Sequence, residues 1–259
     1  MASFLERVTA ARRADAEKRA VEGALDYAKI AATTAGPPRD FGRALSGPGL
    51  ALIAEIKRAS PSAGDIAPDV DPAKQARAYE RGGASAISVL TEPDHFRGSL
   101  DDLRAVREAV SVPALRKDFT CHPLQVWEAR AAGADAILLI VAALTQRELV
   151  ALADLAETLG MSALVETHDT DEVARAIDGG ARILGINTRN LATLEVDPAT
   201  VSKVRASVPD GITMVGESGL TSRADVQAME SAGMDAVLVG ETLMRARDPE
   251  AKVRELLGG

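Results

Sequence analysis

Cysteine and aromatic residues are scarce in this chain of 259 residues. It holds a single cysteine, Cys121, and aromatic residues make up only 3% of it, so no disulfide can form within the chain. Such sparse cysteine is typical of a reducing compartment. No apolar run approaches the roughly 18 residues that a membrane-spanning helix needs, and the first residues lack the apolar core of a signal peptide. We therefore expect a cytoplasmic protein without a membrane partner.

Positive charge and histidine are also in short supply. The 30 Lys and Arg residues face 38 Asp and Glu residues, which leaves a net charge of -8 and excludes a broad nucleic-acid surface. The three histidines, His95, His122 and His168, show no metal-ligand spacing, so we predict no metal and no cofactor.

His168 closely follows Glu166, and we favour a solvated loop histidine over a catalytic one. A nucleophilic role for Cys121 is disfavoured because no histidine is placed to activate it.

What the chain does contain is a regular alternation of strand-like and helix-like segments. Short apolar runs begin near residues 51, 86, 113, 136, 163, 183, 212 and 236, with helical patterns such as 73–80 and 147–153 between them. Glycines at four of the helix-to-strand joins, near residues 83, 133, 180 and 233, predict helix C-caps. Eight alternating units predict parallel strands closed into a barrel. The expected fold class is α/β, a single (β/α)8 TIM barrel with an N-terminal helical extension.

We expect one domain, with the extension at residues 1–48 and the eight βα units at 49–259. The extension is helical in composition from Phe4 to Ile30, is broken near residues 34–38, and has a further short helix starting at Phe41. Two interpretations remain open for it. It is either a cap over the barrel floor or rim, or a segment that borders a ligand pocket.

Polar residues close seven of the eight apolar runs, and only the run from Ala136 to Val141 ends on apolar residues. Burying a charge without a partner is costly, so the repeated pattern suggests that these ends share one polar surface. In a parallel barrel the carboxyl ends of all strands meet at the face that carries the active site. The polar groups at these ends are Glu55, Lys57, Thr91, Glu92, Arg116, Lys117, Asp118, Glu166, Thr167, Asn187, Glu217, Ser218 and Glu241.

Two acid and base pairs stand out among these residues. Glu55 and Lys57 are two apart, so strand alternation places both on one face, and Lys117 and Glu166 end the third and fifth strands. Such groups around one pocket would perturb one another's pKa values, as general acid–base catalysis requires. A purely structural ion pair is the alternative for Glu55 and Lys57.

Glycine-rich turns after the seventh and eighth strands predict a phosphate site. Gly216-Glu217-Ser218-Gly219 and Gly240-Glu241 bring backbone N–H groups close to a ligand, and barrel enzymes often bind phosphate with these two loops. Asn187 and Arg189 could hold hydroxyls and a carboxylate, although a capped turn with a surface arginine is the alternative. Ser60 belongs to a long first loop that is either a ligand-contacting segment or a stiffened connection.

Taken together, these residues resemble the indole-3-glycerol-phosphate synthase family of tryptophan biosynthesis. The resemblance runs through nearly the whole chain in order. It rests on the stretches 53–62, 90–92, 96–99, 115–119, 165–166, 185–191, 216–219 and 239–241, of which the first is Ile-Ala-Glu-Ile-Lys-Arg-Ala-Ser-Pro-Ser and the fourth Leu-Arg-Lys-Asp-Phe.

The resemblance implies a carboxy-lyase that closes the ring of 1-(2-carboxyphenylamino)-1-deoxyribulose 5-phosphate, with loss of carbon dioxide and water, to give indole-3-glycerol phosphate. It implies Lys117 as the general acid, Glu166 as its partner in proton removal, Glu55 assisting, Asn187 holding hydroxyls and Lys57 on the anthranilate carboxylate. The remaining assignments are Ser60, Phe96, Phe119, Arg189, Leu191 and Glu217 for substrate binding, and Ser218, Gly219, Gly240 and Glu241 for phosphate.

The partners expected on this resemblance are a phosphorylated small-molecule substrate and other enzymes of the tryptophan pathway. Two further interpretations compete with it. One is a different phosphate-binding barrel, such as a sugar-phosphate isomerase or an aldolase in which Lys117 forms a Schiff base. The other is a barrel that only binds a ligand, which the full set of polar strand ends disfavours.

Overall fold

Eight parallel strands form a closed barrel in the computed structural model, which describes residues 2–188, 201 and 204–259. Each strand pairs with the next along the chain, and the last pairs with the first, as the sequence predicts. The predicted starts agree with the observed ones to within one residue. The strands are β1 Ala51–Ile56, β2 Ala86–Leu90, β3 Ala114–Lys117, β4 Ala136–Ile140, β5 Ser162–Thr167, β6 Ile183–Asn187, β7 Thr213–Glu217 and β8 Ala236–Val239.

Helices cover the outside of the barrel and precede its first strand. Their apolar faces pack on the outward side chains of the strands to form the larger of the two main core clusters. A 3₁₀ turn at Val141–Ala143 and a two-residue antiparallel ladder between Ala59–Ser60 and Gly64–Asp65 complete the described elements. The helices are α1 Phe4–Val21, α2 Ala24–Thr34, α3 Phe41–Leu45, α4 Pro72–Gly82, α5 Pro93–Phe96, α6 Leu100–Ala109, α7 Pro123–Ala131, α8 Gln146–Thr158, α9 Thr170–Asp178, α10 Arg223–Ser231, α11 Glu241–Met244 and α12 Pro249–Leu257.

The four predicted glycine caps are confirmed. Gly83, Gly133, Gly180 and Gly233 have φ of 103°, 85°, 79° and 80°, the left-handed conformation that ends a helix at little cost only for glycine. Each lies one or two residues past the end of a helix and turns the chain toward the next strand. No helix within residues 2–188, 201 and 204–259 combines the length and apolarity needed to cross a membrane.

The N-terminal extension contacts both ends of the barrel. Phe41 and Leu45 of α3 are fully buried in the cluster that fills the barrel interior, so this short helix closes the floor. At the other end, Phe4 of α1 lines the pocket at the barrel mouth. The two interpretations left open by the sequence therefore both hold, for different helices of the extension.

A buried ion pair fixes α1 to the strand that carries Lys117. Arg12 donates through Nε and Nη2 to the two carboxylate oxygens of Asp118, at 3.1 and 2.8 Å. Arg116 and Thr91 also donate to Asp118, each at 2.8 Å. Burial opposes ionisation of Asp118, but the two guanidinium groups outweigh it and lower the pKa of this carboxyl group. The pair thus connects the extension directly to the residue next to Lys117.

Replacing Arg12 with methionine should lower the free energy of unfolding by about 3 kcal/mol, because Asp118 keeps its charge in a buried site and loses one of its two cations. Arg13→Met is the matched control. Arg13 pairs with Glu148 at 2.7 Å with both side chains 32% exposed, and an exposed pair contributes less than about 1 kcal/mol. Urea unfolding followed by circular dichroism measures both variants. Equal losses would contradict the role given to the buried pair.

Candidate active site

A cavity of about 480 Å³ opens where the carboxyl ends of the barrel strands meet. We call it the mouth pocket. All the candidate site residues that fall within the described part of the chain line it, whereas Arg189 and Leu191 lie outside that part. The candidates that line it are Glu55, Lys57, Ser60, Phe96, Lys117, Phe119, Glu166, Asn187, Glu217, Ser218, Gly219, Gly240 and Glu241.

Lys117 lies between two carboxylates at the centre of the pocket. Its Nζ is 2.9 Å from Glu166 Oε2 and 2.6 Å from Glu217 Oε2. The three residues lie at the carboxyl ends of β3, β5 and β7. Strand alternation turns all of them to the barrel interior, above Leu115, Leu164 and Val215. The sequence predicted the pairing of Lys117 with Glu166, but it did not predict that Glu217 would contact the same ammonium group.

Burial and charge act in opposition on these three groups. Burial disfavours the ammonium of Lys117, but the neighbouring carboxylates outweigh this effect and raise its pKa. For Glu166, burial is outweighed by Lys117 and His168, and the pKa falls to about 2. For Glu217, burial and the nearby charge of Glu166 prevail over Lys117 and raise the pKa to about 7. These shifts favour a charged ammonium on Lys117 and an ionised Glu166, and they bring the titration of Glu217 towards neutral pH.

Glu55 and Lys57 form a second acid and base pair on the pocket wall. The Nζ of Lys57 is 3.0 Å from Glu55 Oε1, and Ser88 Oγ lies 3.5 Å from Glu55 Oε2. A Cβ atom at position 240 would lie 2.5 Å from Glu55 Oε1, so only glycine leaves room for this carboxylate. Gly240, expected from the sequence to serve phosphate binding, therefore also makes space for the Glu55–Lys57 pair.

Asn187 connects Glu166 with the turn after β7. Its Nδ2 donates to Glu166 Oε1 at 3.0 Å, and Ser218 Oγ donates to its Oδ1 at 2.8 Å. Ser218 has φ of 71°, an unfavourable value for a residue other than glycine. Such strain persists where surrounding structure imposes it, commonly at functional sites. These contacts fix the orientation of the Glu166 carboxylate.

Four of the polar residues at the strand ends do not line the mouth pocket, contrary to the expectation from the sequence: Thr91, Glu92, Arg116 and Thr167. Glu92 is fully buried and accepts three backbone N–H bonds as the N-cap of α5. Thr91 and Arg116 bond to Asp118 and to each other behind the barrel wall. Arg116 and Lys117 are adjacent, so alternation sends one out of the barrel and the other into it. The same alternation provides the signal that could have separated them.

Apolar side chains form a further part of the pocket wall, next to these charges. Phe4, Phe96 and Phe119 pack with Phe119 at the centre, at ring-centroid distances of 6.2 and 6.1 Å from the other two. Leu138 and Ile140 of β4 complete this wall. They belong to the one run without a polar ending, a feature of the sequence that could have identified them. The pocket therefore accommodates a ligand with an aromatic part and a charged part.

The turns after β7 and β8 form the remaining side of the pocket. Ser218, Gly219, Gly240 and Glu241 all line it, and Arg245, which the sequence did not single out, lies beside them and bonds to Glu241 at 2.8 Å. Gly240 caps α11 without a side-chain hydrogen bond. No group of three or more His, Cys, Asp or Glu side chains in the described ranges is arranged to hold a metal ion.

Comparison with known proteins agrees with this arrangement. The family model described as indole-3-glycerol phosphate synthase matches residues 5–256. The chain belongs to the indole-3-glycerol phosphate synthase family. The chain is 52% identical to the indole-3-glycerol phosphate synthase of Mycobacterium avium (strain 104) and 51% identical to that of Mycobacterium ulcerans (strain Agy99). Both alignments span 256 residues and cover 99% of this chain and 94% of the relative.

A solved structure supports the fold independently. Thiamine phosphate pyrophosphorylase from Pyrococcus furiosus superimposes with a TM-score of 0.61, at 18% identity, over 80% of this chain and 93% of its own. At this identity the likeness concerns the barrel alone. The membership in the indole-3-glycerol phosphate synthase family makes the chain a carboxy-lyase of tryptophan biosynthesis, as the sequence resemblance implied.

Gly185 leaves room for the carboxylate of Glu217, which a side chain at this position would displace. Its Cβ would lie 2.2 Å from Glu217 Oε1. Gly185→Ala should therefore move Glu217 more than 4 Å from Lys117 in a crystal structure, and should lower stability by about 1–3 kcal/mol. Gly36→Ala is the control, because a Cβ there meets no atom within 4 Å. An unchanged Lys117–Glu217 contact in the Gly185 variant would contradict the packing argument.

Proposed function

We propose that the protein converts 1-(2-carboxyphenylamino)-1-deoxyribulose 5-phosphate to indole-3-glycerol phosphate. The observation that carries this proposal is the ammonium of Lys117 held between two carboxylates in a pocket with an aromatic wall on one side and glycine-rich turns on another. The family membership supports the same reaction. The reaction joins an aromatic ring carbon to the ribulose carbonyl carbon and then loses carbon dioxide and water.

Lys117 acts as the general acid in the ring closure. When the aromatic carbon attacks the carbonyl carbon, the carbonyl oxygen gains negative charge and takes a proton from the Nζ of Lys117. The raised pKa of Lys117 keeps this proton in place until the oxygen becomes strongly basic. Glu217, 2.6 Å away and with a pKa of about 7, can return a proton to Lys117. Lys117 thus donates a proton to the carbonyl oxygen, and Glu217 then donates a proton to Lys117.

Loss of carbon dioxide follows from the ring closure. The carbon that attacked bears the carboxylate, and release of carbon dioxide returns the bonding electrons to the ring. The apolar wall of Phe96, Phe119, Leu138 and Ile140 suits this step, because charge that becomes dispersed depends less on water. Lys57 binds the carboxylate before it departs and orients the ring.

The last step removes the hydroxyl group as water. The hydroxyl leaves with a proton from a nearby acid, and a carboxylate takes up the proton whose loss completes the indole ring. Glu166 is the carboxylate we assign to this step, since its pKa of about 2 keeps it ionised at neutral pH. Glu55 assists from the opposite wall, and Asn187 holds a substrate hydroxyl while it positions Glu166.

The phosphate group binds at the turns after β7 and β8. Gly219 and Gly240 allow backbone N–H groups to approach an anion closely, and Ser218 adds a hydroxyl donor. Glu241 contributes only through its backbone N–H, since its carboxylate pairs with Arg245. This end of the pocket lies apart from the aromatic wall, as the two ends of the substrate require.

Lys117→Ala and Glu166→Gln should each lower kcat by at least about 100-fold while KM changes far less, because both groups act on the reacting atoms. Formation of indole-3-glycerol phosphate is followed by its indole absorbance. Lys29→Ala, at a partly exposed site on α2, is the control and should retain full activity. Unimpaired turnover in either pocket variant would remove that residue from the mechanism.

A Schiff-base aldolase is the alternative that this chemistry must exclude. Borohydride reduction in the presence of substrate would trap a covalent adduct on Lys117 in such an enzyme. We expect no adduct, because a general acid never bonds to the substrate carbon. A trapped lysine adduct would overturn the acid–base assignment.

Gly219→Asp should raise KM at least about tenfold with a smaller change in kcat, because it places a carboxylate beside the phosphate. Aspartate tolerates the left-handed conformation that Gly219 adopts, with φ of 74°. Gly211→Asp is the matched control, since Gly211 has φ of 89° and precedes the same strand at the opposite end of the barrel. Competitive inhibition by inorganic phosphate should weaken in the Gly219 variant alone. Equal effects at the two positions would argue against a phosphate site at this turn.

A further inference from the structure

His168 lies directly after β5, two residues beyond Glu166, and the mechanism above leaves it without a role. Its Nδ1 is 3.0 Å from Glu172 Oε2, and its backbone N–H donates to the same oxygen at 2.8 Å. Glu172 belongs to the first turn of α9. His168 is therefore held by two contacts to one carboxylate oxygen, one from the ring and one from the backbone. The solvated loop histidine favoured from the sequence is wrong, because the side chain is only 17% exposed.

The other ring nitrogen points toward Glu166. His168 Nε2 lies 3.6 Å from Glu166 Oε1, slightly beyond hydrogen-bond length. This nitrogen is buried and has no hydrogen-bond partner among the residues that the structure describes. A buried polar atom without a partner is costly, and contacts in ligand-free active sites are often long and shorten when substrate binds.

The protonation of the ring follows from its two neighbours. A carboxylate can only accept, so the short contact to Glu172 requires a proton on Nδ1. A neutral ring would then direct the lone pair of Nε2 at the carboxylate of Glu166, with two acceptors facing each other in a buried site. A second proton, on Nε2, converts this repulsion into an attraction between an imidazolium and a carboxylate.

The charges around His168 favour the same state. Glu166 faces it from its own strand, Glu172 from α9 and Glu217 from β7. Burial lowers the pKa of His168, but these carboxylates outweigh burial and raise it. The same interaction contributes to the low pKa of Glu166. Lys117, the other cationic group that contacts Glu166, is also paired with Glu217.

We propose that His168, held by Glu172, is a positioning residue that presents a cationic N–H to Glu166 Oε1 during the reaction. This inference rests on the proposed function, since it assigns His168 a role through the carboxylate that removes the proton. Asn187 donates to the same oxygen, while Lys117 holds the other oxygen of Glu166. The three donors together fix the plane of the carboxylate, and His168 is the one with a connection to α9.

The charge state of His168 is measured without substrate, by NMR titration of the protein with ¹⁵N-labelled histidine. The chain has only three histidines, and the spectrum of the His168→Asn variant assigns the resonances. We expect a midpoint above the ordinary value of about 6.5 and protons on both ring nitrogens at neutral pH. Glu172→Gln and Glu166→Gln should each lower the midpoint by about one pH unit, whereas Glu148→Gln, on α8, should not. A midpoint at or below the ordinary value would overturn the proposal. So would a midpoint that neither carboxylate substitution changes.

Two substitutions separate the contact to Glu166 from the contact to Glu172. The amide of His168→Asn replaces Nδ1 and leaves nothing at Nε2, whereas the amide of His168→Gln places a donor near Nε2 and loses Nδ1. We expect kcat to fall about tenfold in the Asn variant, the equivalent of one charged hydrogen bond, and less in the Gln variant, with KM within about twofold in both. A structural role through Glu172 predicts the reverse order. Equal losses, or a larger loss in the Gln variant, would refute the positioning role.

The control is His122→Asn, because His122 caps α7 and asparagine is itself a good N-cap. It should retain wild-type kcat. If the wild-type protein forms no indole-3-glycerol phosphate, the proposed function fails, yet the titration still decides the state of His168. If the wild type is active and the Asn variant matches it, only the role of His168 is lost. A fold defect in either variant is detected by its thermal midpoint and leaves the titration of the wild type decisive.

Discussion

The ammonium of Lys117 between Glu166 and Glu217 is the interaction on which the rest of the site depends. Three charges cannot be buried in a barrel mouth unless they are paired, because each loses its hydration. The pairing requires β3, β5 and β7 to end at matching heights with the same alternation, and only a closed barrel brings these three strands around one point. Gly185 leaves room for Glu217, and Gly240 leaves room for Glu55. The arrangement of charges in the pocket therefore depends on closure of the barrel.

A second group of buried charges, formed by Arg12, Arg116 and Asp118, stabilises the strand end that carries Lys117. The carboxylate of Asp118, the residue after Lys117, is buried, and Arg12 and Arg116 neutralise it. Because Arg12 belongs to α1, the helical extension contributes to the position of Lys117 as well as to the aromatic wall, through Phe4. Alternation along β3 therefore assigns neighbouring residues to different tasks. Lys117 faces the pocket, whereas Arg116 bonds to Asp118, which in turn binds the strand end to the extension through Arg12.

Much of the fold could be predicted because it depends on local and repeated signals. Apolar runs gave the strand starts, and glycines at the joins gave the helix ends, since both reflect short-range backbone preferences. The pocket residues were predictable for the same reason, as strand ends in a barrel must converge. What could not be predicted depends on contacts between distant segments. The capping role of Glu92, the bond of Glu217 to Lys117 and the burial of His168 arise only when the chain has closed, and residue type alone gives no sign of them.

The contacts around Lys117 share one physical basis, which is the balance of buried charge. Around Lys117 the pocket carries the carboxylates of Glu166 and Glu217, an excess of negative charge that burial makes unfavourable. Protonation of Glu217, whose pKa is raised to about 7, relieves part of that excess. The carboxylates of Glu172, Glu166 and Glu217 raise the pKa of His168, and protonation of its ring would relieve a further part. Glu217, at the end of β7, and His168, directly after β5, both contact the ion pair of Lys117 and Glu166. The titrations of these groups are therefore coupled. Loss of a proton from one of them changes the affinity of its neighbours for protons.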